Sequence, residues 1–300
     1  MLLSDPLASP WLPTVGATLA GLLGSALLAL LVSAHGQWRA LRASSLFVRW
    51  RTWLVIAPLF TLVVLAGPLA VAVFAGALAV QGGREYAALA GLDRLDRGVL
   101  LIGCCLVPVL SLWLPIGLVV VVLPLLASLP AVLNQDASHG FERAARLLFG
   151  LGYLAVGLSL LVRLDVAPNA GSGVLLAVAL AVALSDVGAF CVGRRLGRRL
   201  LAPRLSPSKT WAGVVVNLLG AALGLLLLAP LLPTGVPLPL LVLVVAGGAM
   251  WGDLLESMLK RSAHVKDSAA WLPGFGGLLD RIDSLLIVLP LSYVLLGALA

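Results

Sequence analysis

Residues 15–33 read VGATLAGLLGSALLALLVS, a run of 19 residues without a charge. At 1.5 Å of rise per residue, a helix of that length reaches roughly 28 Å, close to the ~30 Å of hydrocarbon in a bilayer. No Lys or Arg precedes the run, whereas Arg39, Arg42, Arg49 and Arg51 follow it. This order is the reverse of a secretory signal's. The helix is therefore expected to be retained, with its N-terminus outside and its basic flank in the cytoplasm.

The rest of the chain has the same character. Of its 300 residues, 61% are hydrophobic and 11% charged, and the mean hydropathy is +1.11. These values exclude a water-soluble globular protein and leave no room for a separate soluble domain. Leu, Val, Ala and Gly dominate and aromatic residues are few, which suits packed helices rather than the alternating pattern of a β-barrel. The expected fold is all-α: a polytopic integral membrane protein of about nine or ten transmembrane or re-entrant helices. Residues 1–134 would supply N-terminal membrane helices and 135–300 a C-terminal catalytic region, in one integrated membrane domain.

Between residues 53 and 130 the number of crossings is open. Trp53 to Val80 reads as one long tilted helix or as two bent back at Gly67-Pro68, and Val99 to Pro130 as one or as two turning near Leu114-Pro115. If both are hairpins, the loops holding Arg84, Arg94, Arg97, Arg143 and Arg146 all fall on the cytoplasmic side. Further spans are expected near 147–162, 173–192, 211–231, 238–258 and 285–299. The links at 165–172 and 233–237 contain no Lys or Arg, as external turns should, while 193–210 and 259–284 are strongly basic. The net charge of +7 is then mainly a property of the cytoplasmic face, suited to anionic headgroups or phosphates. A nucleic-acid partner is not expected, because the basic residues flank spans. Cys104, Cys105 and Cys191 lack metal-ligand spacing and read as small buried fillers.

Two polar clusters interrupt this background. The first is Ser185-Asp186-Val187-Gly188-Ala189-Phe190 inside an apolar segment, followed by Arg194, Arg195, Arg198, Arg199 and then Ser206-Pro207-Ser208-Lys209-Thr210. An Asp at depth costs roughly 2.5–3.5 kcal/mol on insertion scales, so Asp186 should face a polar cavity or a cation. The arginines read equally as the cytoplasmic end of a span. Ser206-Pro207 reads as an N-cap followed by proline at the first helical position. With Lys209 in the same turn, free amides and a cation would converge on one place, a suitable phosphate cradle.

The second cluster is Asp253, Glu256, Ser257, Lys260, Arg261, Lys266, Asp267, Asp280, Arg281 and Asp283. On a helix, Asp253, Glu256, Ser257 and Lys260 share one stripe, which cannot face lipid cheaply. Gly274, Gly276 and Gly277 precede Asp280, where backbone could approach a ligand. One alternative is an ion-pair network that fixes helix packing, with Asp253 and Glu256 neutralised by Lys260 or Arg281. The other is a hydrophilic pocket open to the cytosol, where carboxylates hold a divalent cation and basic groups neutralise phosphates, as phosphoryl or nucleotidyl transfer requires.

These residues resemble the phosphatidate cytidylyltransferase (CDP-diacylglycerol synthase) family. Its signature runs Ser, any, apolar, Lys-Arg, four residues, Lys-Asp, then a Pro-x-His-Gly-Gly turn and Asp-Arg-x-Asp. Here it reads Ser257-Met258-Leu259-Lys260-Arg261, Lys266-Asp267, Leu272-Pro273-Gly274-Phe275-Gly276-Gly277 and Asp280-Arg281-Ile282-Asp283. The upstream Ser-Asp-x-Gly-Ala-Phe and Leu-Ser-Pro-x-Lys-Thr-Trp-x-Gly segments look like the family's other marked regions, so the resemblance covers roughly the last 120 residues. Phe275 stands where the family usually has His, Ala212 where it often has Glu, and Ser208 where Lys is common.

The resemblance implies transfer of the cytidylyl group of CTP to phosphatidic acid, giving CDP-diacylglycerol and pyrophosphate. It implies Mg²⁺ or another divalent cation on Asp253 and Asp280, with Lys260, Arg261, Lys266 and Arg281 steadying phosphates. Asp186, Ser206, Lys209, Thr210, Ser257, Asp267, Gly276, Gly277 and Asp283 would border the nucleotide or the lipid headgroup. It also implies the cell's inner (plasma) membrane, with the site facing the cytoplasm, and leaves room for a homodimer. The competing readings are a CTP-dependent enzyme acting on another lipid phosphate or lipid alcohol, and a non-catalytic, transporter-like membrane protein.

Overall fold

The computed structural model describes residues 2–34, 41, 42, 44–168, 170–193, 197, 199–265, 268 and 276–297. Among these, ten helices follow one another: α1 (Leu12–Ser33), α2 (Ser45–Leu65), α3 (Pro68–Leu89), α4 (Arg94–Leu110), α5 (Ile116–Leu133), α6 (Gly140–Val166), α7 (Gly171–Gly188), α8 (Trp211–Leu227), α9 (Leu238–Ser262) and α10 (Leu279–Gly297). Six of them are long and apolar enough to cross a membrane. The fold is that of an all-α membrane protein, with one ribbon among the described residues, β1 (Leu200–Ala202) antiparallel to β2 (Ser206–Thr210).

Residues 53–130 therefore hold four helices. Gly67 takes φ of +101°, which a residue with a Cβ rarely adopts, and Pro68 opens α3 with its missing N–H where none is needed. The second break falls between Leu110 and Ile116, with Pro115 in the N-cap position of α5. α6 contains a π-helical stretch, Leu151–Val156, between two α-helical parts.

Hydrogen bonds sort the links onto two faces. Tyr86 at the end of α3 donates its hydroxyl to the Arg146 carbonyl near the start of α6 at 2.7 Å. Arg143 reaches Asp96 at 3.0 Å, Asp136 at 3.1 Å and Asp93 at 3.2 Å, clamping the starts of α4 and α6 to the α5–α6 link. On the opposite face, Arg163 donates to the Ser111 carbonyl at 3.1 Å, and the N–H of Ser4 donates to the Ala66 carbonyl at 2.9 Å.

The bundle has a centre and a rim. In α6, 72% of the apolar stretch is buried in protein, against 6% in α1. Outward-facing apolar side chains such as Val121, Leu125 and Val294 stay largely exposed, as expected where lipid is the solvent. α9 and α10 pack closely because Gly252 has no side chain: a Cβ there would run into the main chain of Asp283 and Ser284.

Two local expectations are corrected. Ser206-Pro207 does not open a helix. It lies in β2, where a two-stranded ribbon tolerates proline's missing donor, and the cap of α8 is Thr210, whose hydroxyl accepts from the Gly213 N–H at 3.1 Å. Of the cysteines only Cys104 is buried, whereas Cys105 and Cys191 are exposed. Successive helical residues point ~100° apart, and in α4 Cys104 takes the buried side while Cys105 faces outward.

Candidate active site

The charged cluster forms where the C-terminal end of α9 meets the N-terminal end of α10. In α9, Asp253, Glu256 and Lys260 fall on one face by helical periodicity. In α10, Asp280 sits in the first turn and Asp283 one turn further in. The close approach at Gly252 sets these faces against each other. As a result Asp253, Glu256 and Asp283 each bring a carboxylate oxygen within 4.8 Å of the others.

Such a grouping is unfavourable by itself. Two like charges 4.8 Å apart repel by about 3 kcal/mol at an effective dielectric constant near 20. Two lysines offset part of this. Lys209, carried in by β2, pairs with Asp253. Lys260 bridges Glu256 at 2.5 Å and Asp280 at 2.6 Å. Asp186 at the end of α7 joins through Ser284, whose hydroxyl lies 3.3 Å from its Oδ1. Five carboxylates thus converge where two lysines are paired with them. Glu256 is 1% exposed, and its Oε1 is buried without a hydrogen-bond partner among the described residues. An unsatisfied hard oxygen beside two more is the donor set that suits a divalent cation of the magnesium or calcium type.

A second layer of contacts surrounds Asp280. Asp280 Oδ2 accepts from the Gly277 N–H at 2.9 Å and from the Ser268 hydroxyl at 2.8 Å. Gly276 just before it has φ of +82°. Glu85 arrives from α3, in the other half of the chain. It accepts from the Leu278 and Leu279 N–H groups at 2.9 Å each and shares the Ser268 hydroxyl, 3.0 Å away, with Asp280. A carboxylate thereby occupies the N-terminal end of α10, where free amides and the positive end of the helix dipole favour it.

Asp253, Lys209, Lys260, Asp280, Asp283, Asp186 and Gly277 are thus brought together. Ser257 is buried beside Glu256 on α9. Ser206 and Thr210 are buried in β2, with Thr210 capping α8. Arg261 is exposed and turns back to the Val265 carbonyl at 3.3 Å. Arg281 is exposed on α10. Lys266, Asp267 and Phe275 lie outside the described residues, as do Arg194, Arg195 and Arg198.

Three contributors were missed in the sequence. Glu85 was legible as a carboxylate at the end of an apolar run, a position that asks for a partner. Ser268 carried no signal. Tyr153 sits in the π-helical stretch of α6, where such stretches often mark functional sites. Its buried hydroxyl has no partner among the described residues.

Fold and site together define a polytopic helical membrane protein with a cluster of five carboxylates and two lysines between α7, β2, α9 and α10. More narrowly, the chain belongs to the cytidylyltransferase family, whose profile matches residues 47–299. It is similar to the phosphatidate cytidylyltransferase of Pseudomonas aeruginosa, at 39% identity over 239 residues, covering 76% of this chain and 88% of that one. The Bacillus subtilis phosphatidate cytidylyltransferase is 46% identical over 116 residues, 38% of this chain and 43% of the relative. That of Brucella suis is 39% identical over 170 residues, 56% of this chain, and the match spans 61% of the relative's length.

Proposed function

We propose that this protein transfers the cytidylyl group of CTP to phosphatidic acid, releasing pyrophosphate and forming CDP-diacylglycerol. The observation that carries the reading is the convergence of Asp253, Glu256 and Asp283 within 4.8 Å, flanked by Lys209 and Lys260. The names of the relatives support the substrates. Bacterial relatives and the basic links support the inner membrane, with the pocket facing the cytoplasm.

Asp253, Glu256 and Asp283 would hold a divalent cation, Mg²⁺ in the first instance, which when bound neutralises phosphate oxygens and favours attack at phosphorus. Asp280 takes a different part from the one the resemblance implied. Bound to Lys260, Ser268 and Gly277, it holds the lysine toward the pocket. Lys260 and Lys209 then neutralise the triphosphate as negative charge passes to the leaving pyrophosphate. The attacking group is a phosphate oxygen of phosphatidic acid, already anionic near neutral pH. A new P–O bond forms at the α-phosphorus as the bond to the bridging oxygen breaks, so no side chain has to remove a proton. The catalytic groups belong to residues 135–300, and the N-terminal part contributes Glu85 as a support.

Membranes containing the protein, supplied with CTP, Mg²⁺ and phosphatidic acid, should yield equal amounts of pyrophosphate and CDP-diacylglycerol. Removal of divalent ions by EDTA should stop the reaction and added Mg²⁺ should restore it. Asp283→Asn should lower turnover by at least roughly 100-fold while the protein still inserts and folds. Absence of liponucleotide with every divalent ion tried would overturn the assignment. Full turnover by Asp283→Asn would remove that residue from the site.

A further inference from the structure

A second feature lies between α3 and α4. A groove of about 450 Å³ runs between these helices. Val73, Ala77 and Val80 of α3 and Val109 of α4 line most of it, and Gln81 and Arg84 stand at one end. The polarity is graded: apolar along the length, with an amide and then a cation at the end that belongs to the site's face.

Its dimensions match one leaflet. Val73 and Arg84 are eleven residues apart on α3, which at 1.5 Å per residue is about 16 Å, while half of a ~30 Å hydrocarbon core is about 15 Å. Arg84 is five residues from the end of α3, where a long cationic side chain reaches the headgroup layer. It is exposed, and no ion pair engages it among the described residues. Its neighbour Glu85 points the other way, into the bonds that hold α10. Gln81 gives one amide hydrogen to Glu85 at 3.4 Å, leaving a second for another acceptor.

We infer that the groove between α3 and α4 binds an anionic glycerophospholipid of the surrounding bilayer, with an acyl chain along Val73, Ala77 and Val80 and the headgroup phosphate on Arg84. Charge complementarity selects this occupant: a bare guanidinium at headgroup depth favours a phosphate without a compensating cation over a zwitterionic headgroup. A transmembrane helix of a partner would cover the apolar walls but would have to carry its own anion to meet Arg84. The inference does not depend on the proposed catalytic activity, because binding here requires neither CTP nor a metal.

The test is photolabelling of the full chain in phosphatidylcholine nanodiscs, without CTP. Phosphatidylglycerol bearing a diazirine on one acyl chain is compared with phosphatidylcholine bearing the same chain, at equal mole fraction, and labelled peptides are located by mass spectrometry. The anionic probe should label the peptides around Val73–Val80 and Val109 about tenfold more than the zwitterionic one, as expected for one charge-assisted phosphate contact. Arg84→Gln should reduce that ratio to about one. Ala77→Trp, at an exposed position where a larger side chain unfolds nothing, should fill the groove and remove labelling by both probes. Equal labelling by the two probes, a ratio unchanged by Arg84→Gln, or labelling that survives Ala77→Trp would each overturn it. Activity with CTP and phosphatidic acid is assayed separately, so loss of this inference leaves the catalytic one standing, and the reverse.

Discussion

Replacing Glu85 by Gln tests whether a residue from the N-terminal part of the chain holds the candidate active site in shape. Glu85 is 5% exposed, and its carboxylate accepts from the Leu278 and Leu279 amides and from the Ser268 hydroxyl. A hydrogen bond to a charged group contributes about 1.5–3 kcal/mol, and a neutral one about 1. Gln keeps one acceptor oxygen but loses the charge, and it turns an NH₂ group toward donors. The two amide contacts, together worth about 3–6 kcal/mol, fall to one worth about 1, a net loss near 3 kcal/mol. That loss is local to the start of α10. It should speed amide exchange there by roughly 100-fold, since 1.4 kcal/mol is a factor of ten. Hydrogen exchange with mass spectrometry on a peptide spanning residues 276–284 reads this directly, with peptides from α6 as an internal reference. Because α10 also carries Asp280 and Asp283, turnover should fall as well. Unchanged protection at 276–284 in Glu85→Gln would refute the idea that this carboxylate anchors α10.

Two further predictions follow from the same interface. Lys260→Met leaves Glu256 and Asp280 facing each other without their shared cation. Breaking a buried pair costs about 3–5 kcal/mol, so the thermal unfolding midpoint in detergent should drop by roughly 10 °C, with Lys260→Arg restoring most of it. An unchanged midpoint in Lys260→Met would mean that the lysine contributes nothing to holding α9 against α10. Gly252→Ala adds a methyl group against the main chain of Asp283 and Ser284. Since displacements near 1 Å can cost up to ~100-fold in rate, turnover should fall at least about tenfold in membrane preparations with normal protein levels. Retained turnover would show that the two helices need not approach so closely.

Much of this protein was legible in its residues. Uncharged runs such as 15–33 are long enough for a bilayer and for little else. Residues 53–130 read as two long helices or as two hairpins, and the breaks at Gly67 and before Ile116 give four helices there. The polar stripe from Asp253 to Lys260 followed from helical periodicity, because period determines which residues of one helix share a face. The family pattern from Ser257 to Asp283 pointed to the chemistry that the relatives' names support. Ser206-Pro207 misled because a local cap signal cannot reveal that β1 will pair with the same residues.

Tertiary structure decided which faces meet. Asp280 and Asp283 are both good ligand candidates by residue type. Only the packing of α10 on α9, at a distance permitted by Gly252, directs Asp283 toward Asp253 and Glu256 and Asp280 toward Lys260. The role of Glu85 lies further from anything a linear pattern can express. Its partner Leu279 is 194 residues away in the chain, and no periodicity links positions so far apart. Local sequence fixes helices and their polar faces through short-range geometry. The site exists because burial of the remaining surfaces brings distant faces together.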